Sequence, residues 1–486
     1  MSYKHGVYGE QVPFQKSLIS SLGTIPAYIG TAPIHQLNID GLPDFDYTPY
    51  INKPILIEKY KDVENKLGYS SDWANMTLCE PIYAHFGTDS QIAPVICVNM
   101  ANPKKLAVSQ TEKQITLLGI AGDKTGYIDD SLACIENITL GELTSSDYKM
   151  TYENGKIKIH ITKEDFSDSE ITATYRQIDV TKTTLNAQAF KNALDALDIC
   201  ELTTGKIPNI ISAPSWSSIP DYHSQIMQKV NEKIAKKWYI VAVSDIPSDS
   251  TVNTKELAMK WANTNGYTSK FDKILWPMGI YNGQKYHLST ICCVTMQKTD
   301  TDAGNVPYIS PSNKKINIDG TILADGTPLY IPEYDANELN SVGITTVNII
   351  RGELRLWGLH MANYSFDNKD NINPEDLQDS GIRTGLYLLN YLQRNYIDKI
   401  DTPITKRDID AILASVQQWL NSLVNAGKLL YGTISFENNE NSLDDIANGD
   451  FVFNVQSTTA PNAKSLTFRS QYTTEGLSSL IGGEST

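Results

Sequence analysis

The chain of 486 residues has no stretch approaching the ~20 consecutive apolar residues that a membrane-crossing helix requires. Its opening residues, MSYKHGVYGEQVP, have no apolar core behind a basic end and so do not read as a signal peptide. Cysteine is sparse. Cys79, Cys97, Cys134, Cys200, Cys292 and Cys293 show neither a CxxC spacing nor a regular framework. They are expected to be small buried apolar side chains in a reducing compartment, as suits a protein that folds in a cytoplasm. Positive charge is in deficit, with 41 Lys and Arg against 56 Asp and Glu and a net charge of −15. No long basic block interrupts this, and an acidic surface repels phosphate backbones, so neither nucleic acid nor membrane is an expected partner. Dispersed negative charge keeps a monomer soluble, but close self-packing then needs local charge complementarity.

Catalytic signatures are missing as well. There is no G-x-S-x-G elbow and no HExxH. Gly119-Ile-Ala-Gly-Asp-Lys-Thr125 resembles a phosphate loop, but Asp123 would face the phosphates, and the segment reads better as a turn between strands. Ser215, Asp221, His223 and Asp245 can be written as a Ser-His-Asp set. Ser, Asp and Pro after strands are, however, ordinary turn and cap residues. Asp300 to Gly304 and Asp367 to Asp370 are the best hard-cation candidates, and both lack the ligand spacing of a calcium loop. His160 lies on an alternating run and suits packing or a surface better than ligation. No catalytic residue, metal or cofactor is expected, and the chain is not expected to be an enzyme.

What is present is an ordinary folded composition, 41% hydrophobic and 20% charged, at a length that requires more than one core. Ile25 to Pro33 is a short apolar run bounded by Pro and Gly and suits a buried strand. From Ala93 to Tyr175 the pattern is mostly strands: Val95 to Val98, Ile115 to Ile120, then strict alternation in Lys156 to Ile161 and Glu170 to Tyr175. A small antiparallel sandwich or barrel follows from that period of two. The rhythm then changes to strand and helix. Helices carrying Phe190, Leu194 and Leu197, then Ile226, Met227, Val230 and Ile234, then Leu257 to Trp261, separate the runs Pro208 to Pro214, Trp238 to Val243 and Lys273 to Pro277. Alternation of this kind predicts parallel pairing with helices on both faces, an α/β domain. Near the end, a helix from Thr405 to about Ala426 has Thr405 as N-cap, Asp408 three positions on and Gly427 as its stop. Beyond a polar, acidic loop, Phe451 to Val455 and Ser465 to Phe468 alternate as strands.

Strand-like segments thus stand at both ends, behind polar linkers. Such a segment pairs with its own sheet or with a neighbour's edge, and in the second case subunits would join by β-augmentation. The 26 tyrosines fit surfaces that become buried between subunits.

Several words in fixed order then carry a resemblance. They are His5-Gly-Val-Tyr8, the Ile25 to Pro33 strand, Pro208-Asn-Ile-Ile-Ser-Ala-Pro-Ser215, Val243-Ser-Asp-Ile-Pro247, Lys273-Ile-Leu-Trp-Pro-Met278 and Ile309-Ser-Pro-Ser-Asn-Lys314. The most specific is Leu339-Asn-Ser-Val-Gly-Ile-Thr-Thr-Val-Asn-Ile-Ile350, leading into Leu356-Trp-Gly358. Over most of its length the chain resembles the contractile tail sheath family of phages, tailocins and related injection machines. It departs at Gly9, where the family's arm is usually β-branched, and at Leu359 and His360, where relatives often carry Arg-Thr. The resemblance implies a multi-domain α/β and α+β protein. Residues 1–22 would be an N-terminal arm, 23–92 a strand and linker region packing with the α/β core, and 93–180 a β-sandwich insertion. Residues 181–358 would form a subtilisin-like α/β domain, and 359–486 a C-terminal α+β domain with a C-terminal arm. It also implies a subunit that polymerises with itself as stacked, commonly hexameric rings around a tail tube, with baseplate and terminator proteins as partners. Its place would be a virion tail or injection particle. An α/β hydrolase-like enzyme and another virion structural protein are the alternatives. Val7, Tyr8, Val12, Phe451, Phe453, Val455, Leu466 and Phe468 are the residues expected in inter-subunit arm strands.

Overall fold

The computed structural model describes residues 23–481, apart from 43, 89, 154 and 182–185 and, for side chains alone, 107, 108, 137, 478, 479 and 481. Val7, Tyr8 and Val12 lie outside the described residues. The first strand, β1 (Pro26–Gly30), is buried along its whole length, as its unbroken apolar run predicts. β2 (Pro54–Ile57) follows, then the helices α1 (Tyr60–Lys66) and α2 (Cys79–Phe86), then β3 (Val95–Asn99). β3 pairs parallel with β1, and β2 closes the edge antiparallel to β3. The run Val95 to Val98 therefore does not open the antiparallel region with which its sequence groups it. Its reason is visible in its pattern: a continuous apolar run fits a strand covered on both faces, whereas the alternating runs fit strands covered on one.

Beyond the short helix α3 (Pro103–Leu106), seven strands form a lobe of their own: β4 (Ala107–Thr116), β5 (Leu118–Ile120), β6 (Asp123–Ile128), β7 (Ala133–Leu140), β8 (Tyr148–Glu153), β9 (Lys156–Ile161) and β10 (Glu170–Ile178). They make two antiparallel sheets, ordered β4-β10-β7 and β5-β6-β9-β8. Ile115, Ile135 and Ile171 of the first share one core with Ile128, Ile157, Ile159 and Ile161 of the second. The loop that resembles a phosphate site is the β5–β6 hairpin, in which Ile120 opposes Asp123 and Gly122 takes φ +79°.

Strand and helix then alternate as expected. α4 (Ala187–Asp195) and α5 (Cys200–Thr204) lead to β11 (Ile210–Ser212), α6 (Pro220–Ala235), β12 (Val241–Asp245), α7 (Lys255–Thr264) and β13 (Asp272–Leu275). A hairpin, β14 (Met278–Tyr281) and β15 (Gln284–His287), joins β16 (Gly320–Ile322) in a small sheet. Between β15 and β16 runs α8 (Leu288–Asp302), almost wholly buried. α9 (Glu333–Asn340) precedes β17 (Ile344–Ile350) and β18 (Glu353–Trp357). The large sheet has eight strands in the order β18-β17-β13-β12-β11-β1-β3-β2, parallel from β17 to β3 with an antiparallel strand at each edge.

The last lobe holds α10 (Asp379–Tyr396), α11 (Lys406–Asn425), β19 (Leu429–Ser435), α12 (Leu443–Asn448) and β20 (Asn454–Thr459). α11 matches its expected limits. Thr405 accepts from the Asp408 N–H, Asp408 in turn accepts from the Thr405 N–H, and Gly427 sits at φ +69°. Two expected strands differ. The segment from Phe451 enters the ladder only at Asn454, because the buried Asn441 side chain accepts from the Val452 N–H at 2.8 Å and donates to its carbonyl at 3.0 Å. Ser465 to Phe468 forms no strand and pairs with no other strand among the described residues. Leu466 and Phe468 are 75% and 91% exposed.

Candidate assembly surface

The Ser-His-Asp set comes apart in three dimensions. His223, on α6, bonds Asp272 through Nε2 at 2.8 Å, and its ring stacks on Tyr267 with centroids 3.6 Å apart. Asp272 also accepts from Ser244 at 2.8 Å, so the carboxylate stands between serine and histidine. A nucleophilic triad needs the histidine in the middle. Asp245 accepts from the Ser289 hydroxyl at 2.5 Å and from its N–H at 2.9 Å, and its own N–H donates to Ser217. Burial pushes the Asp245 carboxyl above its ordinary range. Asp221 is exposed in the first turn of α6, two residues from His223 and so on another face. Ser215, at φ +70°, lines a cleft with Ser218, Asp245 and His287 at the carboxyl ends of β11 and β12.

His287 bonds Glu80 at 2.7 Å, and the same carboxylate accepts from Thr290. None of Ser217, Ser244, Asp272, Ser289 or Glu80 carried a local signal in the sequence. Glu80, on α2, lies 207 residues from His287, at the start of α8, and the packing of α2 against α8 brings them together.

The metal and thiol candidates resolve in the same way. Asp300 lies at the end of α8, bonded to Arg383 and, at 2.5 Å, to Thr24. Asp367 to Asp370 is part of a single 3-10 turn beside Lys369. Among the described residues no group of three or more His, Cys, Asp or Glu side chains is placed to hold a metal ion. All six cysteines are free and buried, and burial pushes the thiols of Cys79, Cys134 and Cys292 up to about 12. Among the described residues no helix is long and apolar enough to cross a membrane.

Surface chemistry concentrates in the last lobe. α11 buries Val416, Leu420 and Leu423 beneath the β19–β20 hairpin. Gln417 donates to the Gly432 carbonyl at 3.0 Å and accepts from the Ile434 N–H at 3.2 Å. The Ile434 N–H is thereby spent on a side chain, so the outward edge of β19 is plugged. Along β20 no further strand pairs among the described residues, and that edge stays open. Val455 pairs with Ile434 inside the hairpin, and Phe453 and Phe451 lie 5.1 and 6.5 Å from the Phe436 ring. These three expected arm residues are thus held by their own body, whereas Leu466, at the rim of a cleft shared with residues such as Trp357 and His360, and Phe468 are largely exposed. Exposed apolar side chains recur nearby at Leu430, Tyr431, Leu443, Tyr472 and Leu480.

Fold and surface together describe a mixed α/β body whose candidate catalytic side chains are tied into internal hydrogen bonds, with an open strand edge and an exposed C-terminal segment. No family model matches the chain. The tail sheath protein of Burkholderia phage BcepMu is 24% identical to it over 488 residues, 94% of this chain and 93% of that protein. The major tail sheath protein of Serratia phage KSP20 is 27% identical over 297 residues, 59% of this chain and 70% of the relative. A putative prophage major tail sheath protein of Pseudomonas aeruginosa (strain UCBPP-PA14) is 25% identical over 283 residues, 56% of this chain and 67% of the relative. Among solved structures, a chain of the anti-feeding prophage baseplate superposes with a TM-score of 0.58 at 11% identity, covering 97% of this chain and 100% of that one. A chain of the contracted sheath complex of an extracellular contractile injection system gives 0.55 at 12% identity, covering 98% and 99%. At such identities the structures show the fold alone. Together with the sequence relatives they make the chain similar in sequence and in fold to contractile tail sheath proteins, and they support its role as a structural sheath subunit.

Proposed function

We propose that the subunit polymerises as stacked hexameric rings around an inner tail tube and contracts to drive that tube through a target envelope. The observation that carries the reading is the near end-to-end match to a tail sheath protein, which spans every lobe and leaves no large segment unaccounted for. In this reading the lobe of β4 to β10 is the β-sandwich insertion, β3 belonging with the large sheet; residues 181–358 are the subtilisin-like α/β domain and 359–486 the C-terminal domain, with baseplate, tube and terminator proteins as partners. The particle is a virion tail or an injection device, made in the cytoplasm of a bacterial host.

The open β20 edge receives a strand from a neighbouring copy, and residues 1–22 and the tail beyond β20 supply such strands. Val7, Tyr8 and Val12 belong to the first arm, and Leu466 and Phe468 to the second. Ring movement is then a rigid-body rotation with the arms as tethers. Greater burial and charge pairing in the contracted state drive it, and no nucleotide is consumed.

No enzymatic step is assigned to the chain, and a serine-reactive fluorophosphonate is expected to leave Ser215 unlabelled. The direct test is negative-stain electron microscopy of the purified chain at high concentration. Striated hollow cylinders or stacked rings are expected. Uniform monomers that persist when tube and baseplate proteins are added would sink the reading.

A further inference from the structure

The tail is held most densely at Asn462, and beyond it Lys464 reaches back to the Tyr364 hydroxyl at 3.4 Å and lies over the Tyr364 and Phe366 rings. Residues 463–477 are all exposed, whereas Asn462 is held on four sides. Its N–H donates to Gln378 Oε1 at 2.8 Å, and its carbonyl accepts from Gln378 Nε2 at 2.9 Å, so a side-chain amide takes the place of a paired strand. The Asn462 side chain donates to Ser380 Oγ at 2.7 Å and to the Tyr308 carbonyl at 3.3 Å, and it accepts from the Ser310 N–H at 3.4 Å.

Gln378 and Ser380 flank Asp379, which is fully buried and bonded at 2.6 Å to the fully buried Lys273 of β13. Gly381, next in the chain, allows close approach: a Cβ there would lie 2.8 Å from the Glu375 carbonyl and 3.6 Å from Thr459, the last residue of β20.

We infer that Asn462 and Gln378 form an anchoring clasp that fixes where the C-terminal extension departs and transmits load from a tethered second copy, through Asp379 and Lys273, into the large sheet. The inference rests on the tethering role proposed above. A tether that slid at its root would lengthen under load instead of turning the neighbouring subunit, so the root must be the stiffest point of the arm. The two backbone-directed bonds lie on either side of one residue, which resists both sliding and twisting. Their side-chain origin lets the clasp form without a sheet partner.

The test uses the full-length chain with Gln378→Ala, Gln378→Glu and Asn462→Ala. Loss of two hydrogen bonds raises local opening by about tenfold. Amide exchange of residues 460–465 in the monomer is therefore expected to quicken by about that factor in Gln378→Ala. Gln378→Glu accepts from the Asn462 N–H but cannot donate to its carbonyl, and it should fall between. Polymer pelleted by ultracentrifugation should decline in the same order, while exchange in β11–β13 stays at the wild-type rate and shows that the body remains folded.

Unchanged exchange at 460–465 would overturn the clasp. Faster exchange with wild-type polymer yield would overturn its anchoring role. A wild-type chain that never polymerises counts against the sheath reading itself and is told apart because it needs no substitution.

Discussion

Lys273 and Asp379 have no exposed side-chain surface, and the ammonium makes two further bonds, to the carbonyls of Gly358 and His360. A buried pair of this kind adds little net stability against apolar residues of equal shape, but removal of one member strands the other charge. Lys273→Met is therefore expected to cost about 3–5 kcal/mol in urea unfolding, with much of that restored in Lys273→Met/Asp379→Leu. Three histidines make a second prediction at this scale. Burial lowers His35, His85 and His360 from 6.5 to about 4. In His85 one ring nitrogen donates to the Ile92 carbonyl at 3.1 Å, leaving the other to accept from the Tyr28 hydroxyl at 2.8 Å, so a second proton would break that bond. The unfolded chain binds these protons more readily than the folded one. Their contribution is then complete above about pH 6.5 and is lost as pH falls toward 4, by up to about 1.4 kcal/mol per pH unit for each group. His85→Gln should flatten that slope by one proton, as measured by unfolding free energy between pH 4.5 and 7.

Among the elements, α11 was the most legible, because capping box, apolar stripe and terminal glycine all act within one helix. Thr405→Ala should cost about 1 kcal/mol. β19 was legible only as a strand. That Gln417 plugs its edge depends on how α11 packs across the hairpin, and helical periodicity says nothing of which backbone groups a surface glutamine meets. Gln417→Ala is expected to leave the fold intact and to expose a second open edge. Its readout is concentration-dependent, irregular aggregation by light scattering where the parent gives monomer or ordered polymer. Asn441 explains the late start of β20: the alternating pattern from Phe451 was real, but a side-chain amide outcompeted the ladder for the Val452 backbone.

For the whole molecule, deletion of residues 1–22 is expected to leave soluble, folded subunits whose unfolding transition matches the parent and which no longer form pelletable sheath. Normal assembly of that deletion would show the arm to be dispensable. The large sheet argues for folding as one body, since β1 and β3 are inserted between β2 and β11, strands separated by the entire seven-stranded lobe. The α/β rhythm of residues 187–275 was readable because each strand is preceded by a helix that covers the sheet. The membership of Val95–Asn99 was not, because an apolar run specifies burial on two faces without naming the neighbours that provide it.

Sequence alone determined the local periods, the helix caps and turns, the dearth of basic blocks and catalytic motifs, and the ordered words shared with tail sheath proteins. These are properties of residues near one another in the chain, where backbone geometry and burial preference act directly. Tertiary structure decided the rest: that His223 serves Asp272, that Lys273 meets Asp379, that β20 rather than β19 keeps an open edge, and that the tail is gripped at Asn462. Each of those is a pairing across tens to hundreds of residues, and a hydrogen-bonding side chain has no partner until the chain has closed the distance.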